Sequence, residues 1–349
     1  MIVKEDKTIA EQVASMLRSG IRRGDFPPEK PLPGERKLSQ LYGVCRATVV
    51  AALDKLAEEK LICKIPARGN FVLQHELPPK ILLLYPEKTL GKTLHPENAA
   101  AFLDFYRGLL DSAASYKTEI STLCVTEKDF ENDPEEYIKK VSDFDVLIFS
   151  SRQLPALRQI FRGKKVMIVR DSMLPEQERE SDISIVTPDY GTAFRDLTKK
   201  VAGSGFKSLC TLTLSCDEWS VKKCRLLEQS AQENGLGFEN IMILPEQLPA
   251  VIPQLAGRFI FFTNTFYFGK FYHACMTANL FPGKDFQLTG LCSGSTLINL
   301  IPEPSFIKIP NYELGQEAFR LARKKISDRF VQIPTFLIEN DTTGKGTGC

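Results

Sequence analysis

Residues 33–53, PGERKLSQLYGVCRATVVAAL, constrain this chain more tightly than any other stretch. Leu38 and Leu41 turn one short helix inward, and Gly43 follows it, where a left-handed residue ends helices. Val49, Leu53 and Leu56 then recur at the i, i+4, i+7 spacing of one buried helical face. Arg46, Ala47 and Val50 fall on the opposite face, near that helix's N-terminus. Two short helices joined by a tight turn make a helix-turn-helix, which offers this part of its second helix to base edges.

The flanks extend the motif. Ile9, Val13, Leu17 and Ile21 form an i, i+4 stripe that predicts a preceding helix, ended by Gly24 and the prolines after it. Residues 61–65, LICKI, and 70–73, NFVL, are short β-prone runs. They flank Pro66-Ala67-Arg68-Gly69, a turn with an arginine at its tip. Three helices followed by a hairpin read as a winged helix-turn-helix. A small α+β module that binds another protein through the same face has this pattern too.

The run LPGERKLSQLYGVCRATVVAALDKLAEEKLI resembles the GntR-type winged helix, whose usual form is LPSERELAxxLGVSRxTVRxALxxLxxEGLI. ARGNFVL is similar to that family's GRGTFV wing, and the likeness spans about residues 8–73. It implies that Glu35 and Arg36 open the positioning helix, that Arg46 and Thr48 open the recognition helix, and that Arg68-Gly69 make the wing tip. Arg36, Arg46 and Thr48 would then contact phosphates or bases, and Arg68 the minor groove. Adding the outward-facing residues gives a DNA-contact set of Glu35, Arg36, Arg46, Ala47, Thr48, Val50, Arg68 and Gly69.

Three positions depart from the family pattern. Gly34 and Cys45 replace serines at two helix N-caps. Glycine caps nearly as well as serine, whereas cysteine is a weaker acceptor, a change costing a few tenths to ~1 kcal/mol. Val50 stands where an arginine commonly reads guanine. Valine cannot make the bidentate bond to O6 and N7; it either packs on a thymine methyl or touches nothing.

Charge and cysteine usage fit a DNA-binding head in a reducing compartment. Residues 1–73 carry thirteen basic against nine acidic side chains, a net of +4, while the whole chain carries only +2. The basic excess sits where phosphates would be met. No leading apolar signal and no apolar run near 18 residues is present, so a cytoplasmic protein without a membrane span is expected. Nine cysteines include no CxxC pair, which points to reduced, mostly buried thiols. His75, His95 and His273 lack ligand spacing, so no metal and no cofactor is expected.

Residues 74–79, QHELPP, read as a linker stiffened by two prolines. Beyond it, apolar runs at 81–85, 120–125, 146–149, 166–169, 209–214, 241–244, 259–262 and 286–291 alternate with helix-compatible stretches such as 99–116. Buried strands alternating with helices indicate parallel α/β sheets covered on both faces. The span is too long for one such core, so two lobes are expected. The predicted organisation is a head at 1–73, a linker at 74–79, a two-lobed α/β body at 80–340 and a tail at 341–349.

The order of motifs after residue 80 resembles the effector domain of LacI-type repressors, itself similar to type I periplasmic binding proteins. KKVMIVRDS, ISIVTPDYGTAFRDLTKKVAGSGFKSLCTLTL, CRLLEQSAQENG and PSFIKIPNYELGQEAFRLARKKI carry the likeness, followed by an extended strand near 333–338. In such folds ligand binds between lobes, at the C-terminal ends of the parallel strands. Motif position implies Ser150, Ser151, Arg170, Asp171, Arg225 and Asn264 as ligand contacts. Trp219 would stack on a sugar face, and Phe266, beside Tyr267, would line the cleft.

Two carboxylates that hold sugar hydroxyls in the family are missing. Its N-D pair is Asn264-Thr265 here, and its G-F-D-D turn is Gly290-Leu291-Cys292-Ser293. Threonine and cysteine accept hydroxyl bonds poorly compared with a carboxylate. A less hydroxylated, more aromatic or anionic ligand, with Arg170 and Arg225 as counter-charges, is one outcome; loss of ligand binding is the other. The expected function is therefore a ligand-responsive transcription repressor. It would bind a palindromic DNA operator as a homodimer, and a small molecule as effector. The alternative is a DNA-binding protein whose body serves only dimerisation or partner contact. No G-x-S-x-G, P-loop or dinucleotide fingerprint supports an enzyme.

Overall fold

A computed structural model describes residues 8–23, 25–73, 78–86, 96–116, 118–125, 134–150, 166–170, 183–214, 218–263, 267–292, 300–327 and 329–343. The chain divides into two compact units, Met1–Lys80 with Lys139–Asp145, and Ile81–Ile138 with Val146–Cys349.

The first unit holds α1 (Ile9–Arg23), α2 (Glu35–Tyr42), α3 (Arg46–Glu58), β1 (Ile62–Ile65) and β2 (Gly69–Val72). Its core is Val13, Leu17, Leu38, Val49, Leu53 and Leu56, all essentially buried. Burying each such side chain contributes about 1.5–3 kcal/mol. Leu41 does not join them; it is 65% exposed, and Tyr42 packs on the core in its place. Tyr42 lies a full i+4 from Leu38, and so continues the inward row of so short a helix. Ile9 is likewise exposed, at the open first turn of α1.

Gly43 takes the left-handed conformation at the end of α2, with φ 64°. Ser39 Oγ then donates to the Val44 carbonyl at 2.5 Å, bracing the turn. Arg18 of α1 forks onto Glu59 through Nε (2.8 Å) and Nη2 (2.6 Å), while Lys55 pairs with Glu11. These two pairs tie α1 to α3 and the residue that caps it, on the side away from the recognition residues.

The second unit contains two parallel sheets. One runs in the order β13-β7-β6-β5-β3-β4, the other β14-β12-β11-β10-β8-β9. In the first, β3 (Ile81–Pro86), β4 (Ile120–Val125), β5 (Val146–Ser150), β6 (Val166–Arg170), β7 (Ile183–Asp189) and β13 (Phe330–Pro334) are all parallel. In the second, β8 (Ser208–Thr213), β9 (Gly237–Met242), β10 (Phe259–Phe262), β11 (Gln287–Cys292) and β12 (Ser305–Lys308) are parallel, and β14 (Phe336–Ile338) closes the edge antiparallel. This is the α/β class with a doubly wound sheet in each lobe.

The helices are α4 (Pro96–Ser115), α5 (Pro134–Val141), α6 (Tyr190–Gly203), α7 (Glu218–Glu233), α8 (Leu248–Val251), α9 (Phe268–Thr277) and α10 (Asn311–Arg323). α4 and α10 pack on the first sheet through Phe105, Leu109, Leu314 and Phe319. α6 and α7 cover one face of the second through Phe194, Leu197 and Leu227; α8 and α9 cover the other through Leu248, Phe268 and Phe271.

Four further expectations need correction. The run expected at 241–244 is β9 at 237–242, because an edge strand buries one face and shows alternation, not a continuous apolar run. Residues 183–189 and 305–308 are full strands where the sequence showed only crossover motifs. The stretch 333–338 is two strands in different sheets, parted at Thr335. The tail expected from 341 does not begin there. Thr342 and Thr343 are buried, and Thr342 Oγ1 donates to the Leu288 carbonyl while accepting from Ser305 N at 2.7 Å. Residues 74–77 of the linker and 344–349 of the tail lie outside the described residues.

The chain passes between the lobes three times: from β7 to α6, from β12 to α10, and from β13 to β14. Thr335, in the third crossing, donates to the Asp189 carbonyl of the first through both its N–H (3.1 Å) and its Oγ1 (2.7 Å). Ile309, in the second, packs against the cores of both lobes. Paired crossings of this kind restrict the relative motion of two lobes to a hinge.

Candidate nucleic-acid interface and ligand cleft

The recognition face forms because α3 is apolar on one side only. Val49, Ala52, Leu53 and Leu56 are buried, Arg46 and Ala47 are exposed, and Thr48 and Val50 are half-buried. Ala51, one turn beyond Ala47, is exposed as well, as is Asp54. Both were missed from the sequence, although the i+4 step from Ala47 and Val50 marks them. Asp54 pairs with Lys64 of β1, so the far end of this face is tied to the hairpin.

Cys45 occupies the N-cap of α3 with an extended backbone and makes no side-chain cap bond. Its Sγ instead lies 3.1 Å from Thr48 Oγ1, and that hydrogen bond holds the thiol below its ordinary pKa. Gly34 caps α2 without a side chain. Glu35 and Arg46, at the starts of the two helices, are brought into contact: Arg46 Nε donates to Glu35 Oε2 at 2.7 Å. Arg36 is exposed on the first turn of α2.

The wing pairs Ile62 with Val72 and Ile65 with Gly69. Ala67 at φ 58° and Gly69 at φ 106° turn the chain, and Arg68 N donates to the Ile65 carbonyl at 3.0 Å. Arg68 is left exposed at the tip. The Leu32 N–H donates to Asn70 O at 2.7 Å, bracing the hairpin from the segment before α2.

In the body, Ser150 and Arg170 are register partners at the C-terminal ends of β5 and β6, so the backbone brings these two positions side by side. Trp219 lies in the first turn of α7, and Arg225 is exposed two turns further on. Ser151, Asp171, Asn264 and Phe266 lie outside the described residues. Thr213, which ends β8, and Thr263, which directly follows the adjacent strand β10, were unmarked from the sequence and lie where the second sheet's strand order reverses. Thr263 Oγ1 donates to Thr213 Oγ1 at 3.1 Å, and both are buried. Such switch points are where doubly wound sheets bind ligands.

Cys292 packs into the core under α8 and α9. Burial pushes the Cys210 and Cys275 thiols up to about 11 and about 12, which keeps them protonated and unreactive. Among the described residues, no helix is long and apolar enough to cross a membrane.

These features define a winged-helix head joined to a two-lobed, doubly wound body. Residues 9–72 match the family described as bacterial regulatory proteins, gntR family. The transcriptional repressor NagR of Bacillus subtilis is 38% identical over 61 residues, covering 18% of this chain and 25% of that relative. The chain spans only about a quarter to a half of the curated relatives it matches. The body is similar in fold to the LacI family regulator CCPA from Weissella paramesenteroides with bound sucrose (TM-score 0.61, 14% identity, 76% of this chain and 99% of that one). It is also similar to a LacI family regulator from Enterococcus faecium with bound ribose (TM-score 0.58, 14% identity, 76% and 99%). The head is thus a GntR-type winged helix-turn-helix, and the body has the fold of LacI-family regulators.

Proposed function

We propose that this chain is a bacterial transcription regulator, a repressor, whose grip on DNA is set by a small molecule bound between the two lobes. The observation that carries this reading is the start of α3, with Arg46 and Ala47 exposed and Thr48 and Val50 half-buried, on a GntR-type head joined in one chain to a two-lobed body. Two bodies pair and set two heads about one DNA turn, or a multiple, apart on a palindromic operator. Ligand closes the lobes about the three crossings and changes the fit of both heads. Glu35, Arg36, Arg46, Ala47, Thr48, Val50, Arg68 and Gly69 meet the DNA. Ser150, Ser151, Arg170, Asp171, Trp219, Arg225, Asn264 and Phe266 meet the ligand.

We assign the protein to the cytoplasm and give it no catalytic role, in keeping with its relatives, which are regulators. The bound sugars of the two similar structures support a sugar-like ligand. The absence of carboxylates at Thr265 and Cys292 favours one with fewer hydroxyls or with a negative charge. That same absence favours, as second reading, a body that has lost ligand binding.

Thermal unfolding against sugars, sugar phosphates, sugar acids and nucleosides separates the two. A ligand of the folded state raises stability by about 2.7 kcal/mol at a hundredfold excess over its Kd. A shift lost in Arg225→Ala supports the ligand-responsive regulator. Operator binding with no shift from any compound supports the second reading, and no sequence-selective DNA binding overturns both.

A further inference from the structure

We propose a second ligand site, separate from the inter-lobe cleft, on the helical layer of the C-terminal lobe, taking a small amphipathic carboxylate with a single negative charge. The site is a cavity of about 700 Å³ between the segment that holds α8 and the helix α9. That size falls within the roughly 300–1,000 Å³ of small-molecule pockets. The inter-lobe cleft lies at the C-terminal ends of the strands, whereas this cavity opens between two helical segments that cover one face of the second sheet.

Its two walls differ in chemistry. Pro245, Pro249 and Pro253 recur every four residues along one wall. Proline rings present flat apolar surface and their nitrogens carry no hydrogen to donate. Lys270, His273 and Thr277 recur at i, i+3, i+7 along α9 and line the other wall; Lys270 and His273 bring donors to it, while the Thr277 hydroxyl donates to the His273 carbonyl at 2.9 Å. Leu248 and Ala274, both buried, form an apolar floor.

A molecule matching both walls has an apolar body against the prolines and an acceptor facing α9. Lys270 brings a positive charge and three donors to the α9 wall, which favours an anionic acceptor; its ammonium stands 5.6 Å from the Tyr267 ring centroid. Glu246, on the proline side, disfavours a second negative charge on the same ligand. Gly269 lines the cavity without a side chain, and a Cβ there meets nothing within 4 Å, so a larger residue has room to grow into the space.

Calorimetric titration of the full chain with octanoate and with 4-phenylbutyrate tests the site. Saturable binding of one equivalent is expected for at least one of them. Octan-1-ol, which has the body without the charge, should bind at least about tenfold more weakly, and Lys270→Ala should weaken the acid by about tenfold. Gly269→Leu should abolish binding while the circular dichroism of the folded chain is retained; if that variant does not fold, Thr277→Phe, at an exposed position of the same wall, fills the cavity instead. No saturable binding, equal binding of the alcohol, or binding unaltered in the filled variant overturns the proposal.

Discussion

Arg46 donates from Nε to Glu35 Oε2 at 2.7 Å, so two members of the expected DNA-contact set hold each other. The arginine side chain is nonetheless 76% exposed. The bond engages Nε and not the two terminal amines, and fixing one end of a long side chain lowers the entropy cost of binding with the other. Arg46→Ala should weaken operator binding tenfold or more and reduce the salt slope by about one. Glu35→Ala should weaken it less, and Glu35→Gln, which keeps an acceptor oxygen, less again. Because the pair is exposed, neither Glu35 variant should change stability by more than about 1 kcal/mol. Fluorescence anisotropy over a range of salt concentrations reads the affinities, and urea unfolding reads the stability.

Val50 tests the operator directly. It is half-buried near the start of α3, where valine offers only methyl contact. Val50→Arg should create a preference for guanine at one position of each half-site, worth about 1–3 kcal/mol against the other bases. Selection of binding sites from a random library, run for both proteins, shows whether exactly one position per half-site gains guanine. An unchanged preference would mean that residue 50 does not reach the bases.

The head was legible because its information is local. Gly43, the Val49–Leu53–Leu56 row and the Arg68 turn each declare their role within a few residues. Leu41 misled because Leu and Tyr compete for the inward place on an eight-residue helix, and the i+4 geometry of Tyr42 decided it. In the body, β3, β4, β5, β6, β8, β10 and β11 announced themselves as apolar runs, whereas interior strands β7 and β12 and edge strand β9 did not. The division of 330–338 between two sheets depends on Thr335 meeting Asp189, 146 residues away, and no local pattern encodes such a bond. Thr213 and Thr263 became candidates only once the strand order was known, since two strands far apart in sequence bring them together.

The crossing of α4 and α10 depends on two glycines. A Cβ on Gly108 would lie 2.0 Å from the Tyr312 carbonyl oxygen, and one on Gly315 would lie 2.1 Å from the Phe105 carbonyl oxygen. Backbone meets backbone there, so no flexible side chain can yield. Gly108→Ala and Gly315→Ala should each destabilise the body by roughly 3 kcal/mol, the upper end of overpacking costs. Gly203→Ala, where a Cβ has nothing within 4 Å, is the control and should leave the urea midpoint unchanged or raised.

Glu11 gives the head an acid limit. Its hydrogen bond and attraction to Lys55, together with Arg18, hold its carboxyl below the ordinary value of 4.5. A carboxyl lowered on folding stabilises above its unfolded pKa, and that contribution is lost as pH falls through the folded one. The head's unfolding midpoint should therefore fall on acidification below about pH 4.5. Glu11→Gln, starting lower at neutral pH, should show a shallower fall. Equal slopes for both proteins would remove Glu11 as the source.

Thr335 offers the most direct test of the hinge. Its Oγ1 and N–H both donate to the Asp189 carbonyl, while the Asp189 carboxylate caps α6 by accepting from Gly191 N (2.9 Å) and Thr192 Oγ1 (3.2 Å). One residue thus joins the end of β7, the start of α6 and the β13–β14 passage. Thr335→Val keeps the shape and the N–H bond and removes only the hydroxyl. The carbonyl stays satisfied, so stability should fall by only about 1 kcal/mol. Two crossings held by one hydrogen bond instead of two transmit lobe closure less faithfully, so the ratio of operator affinities with and without ligand should shrink while the ligand still binds. Anisotropy measured with and without a saturating ligand gives that ratio. A full ratio in a protein of reduced stability would limit the Thr335–Asp189 bond to holding the fold.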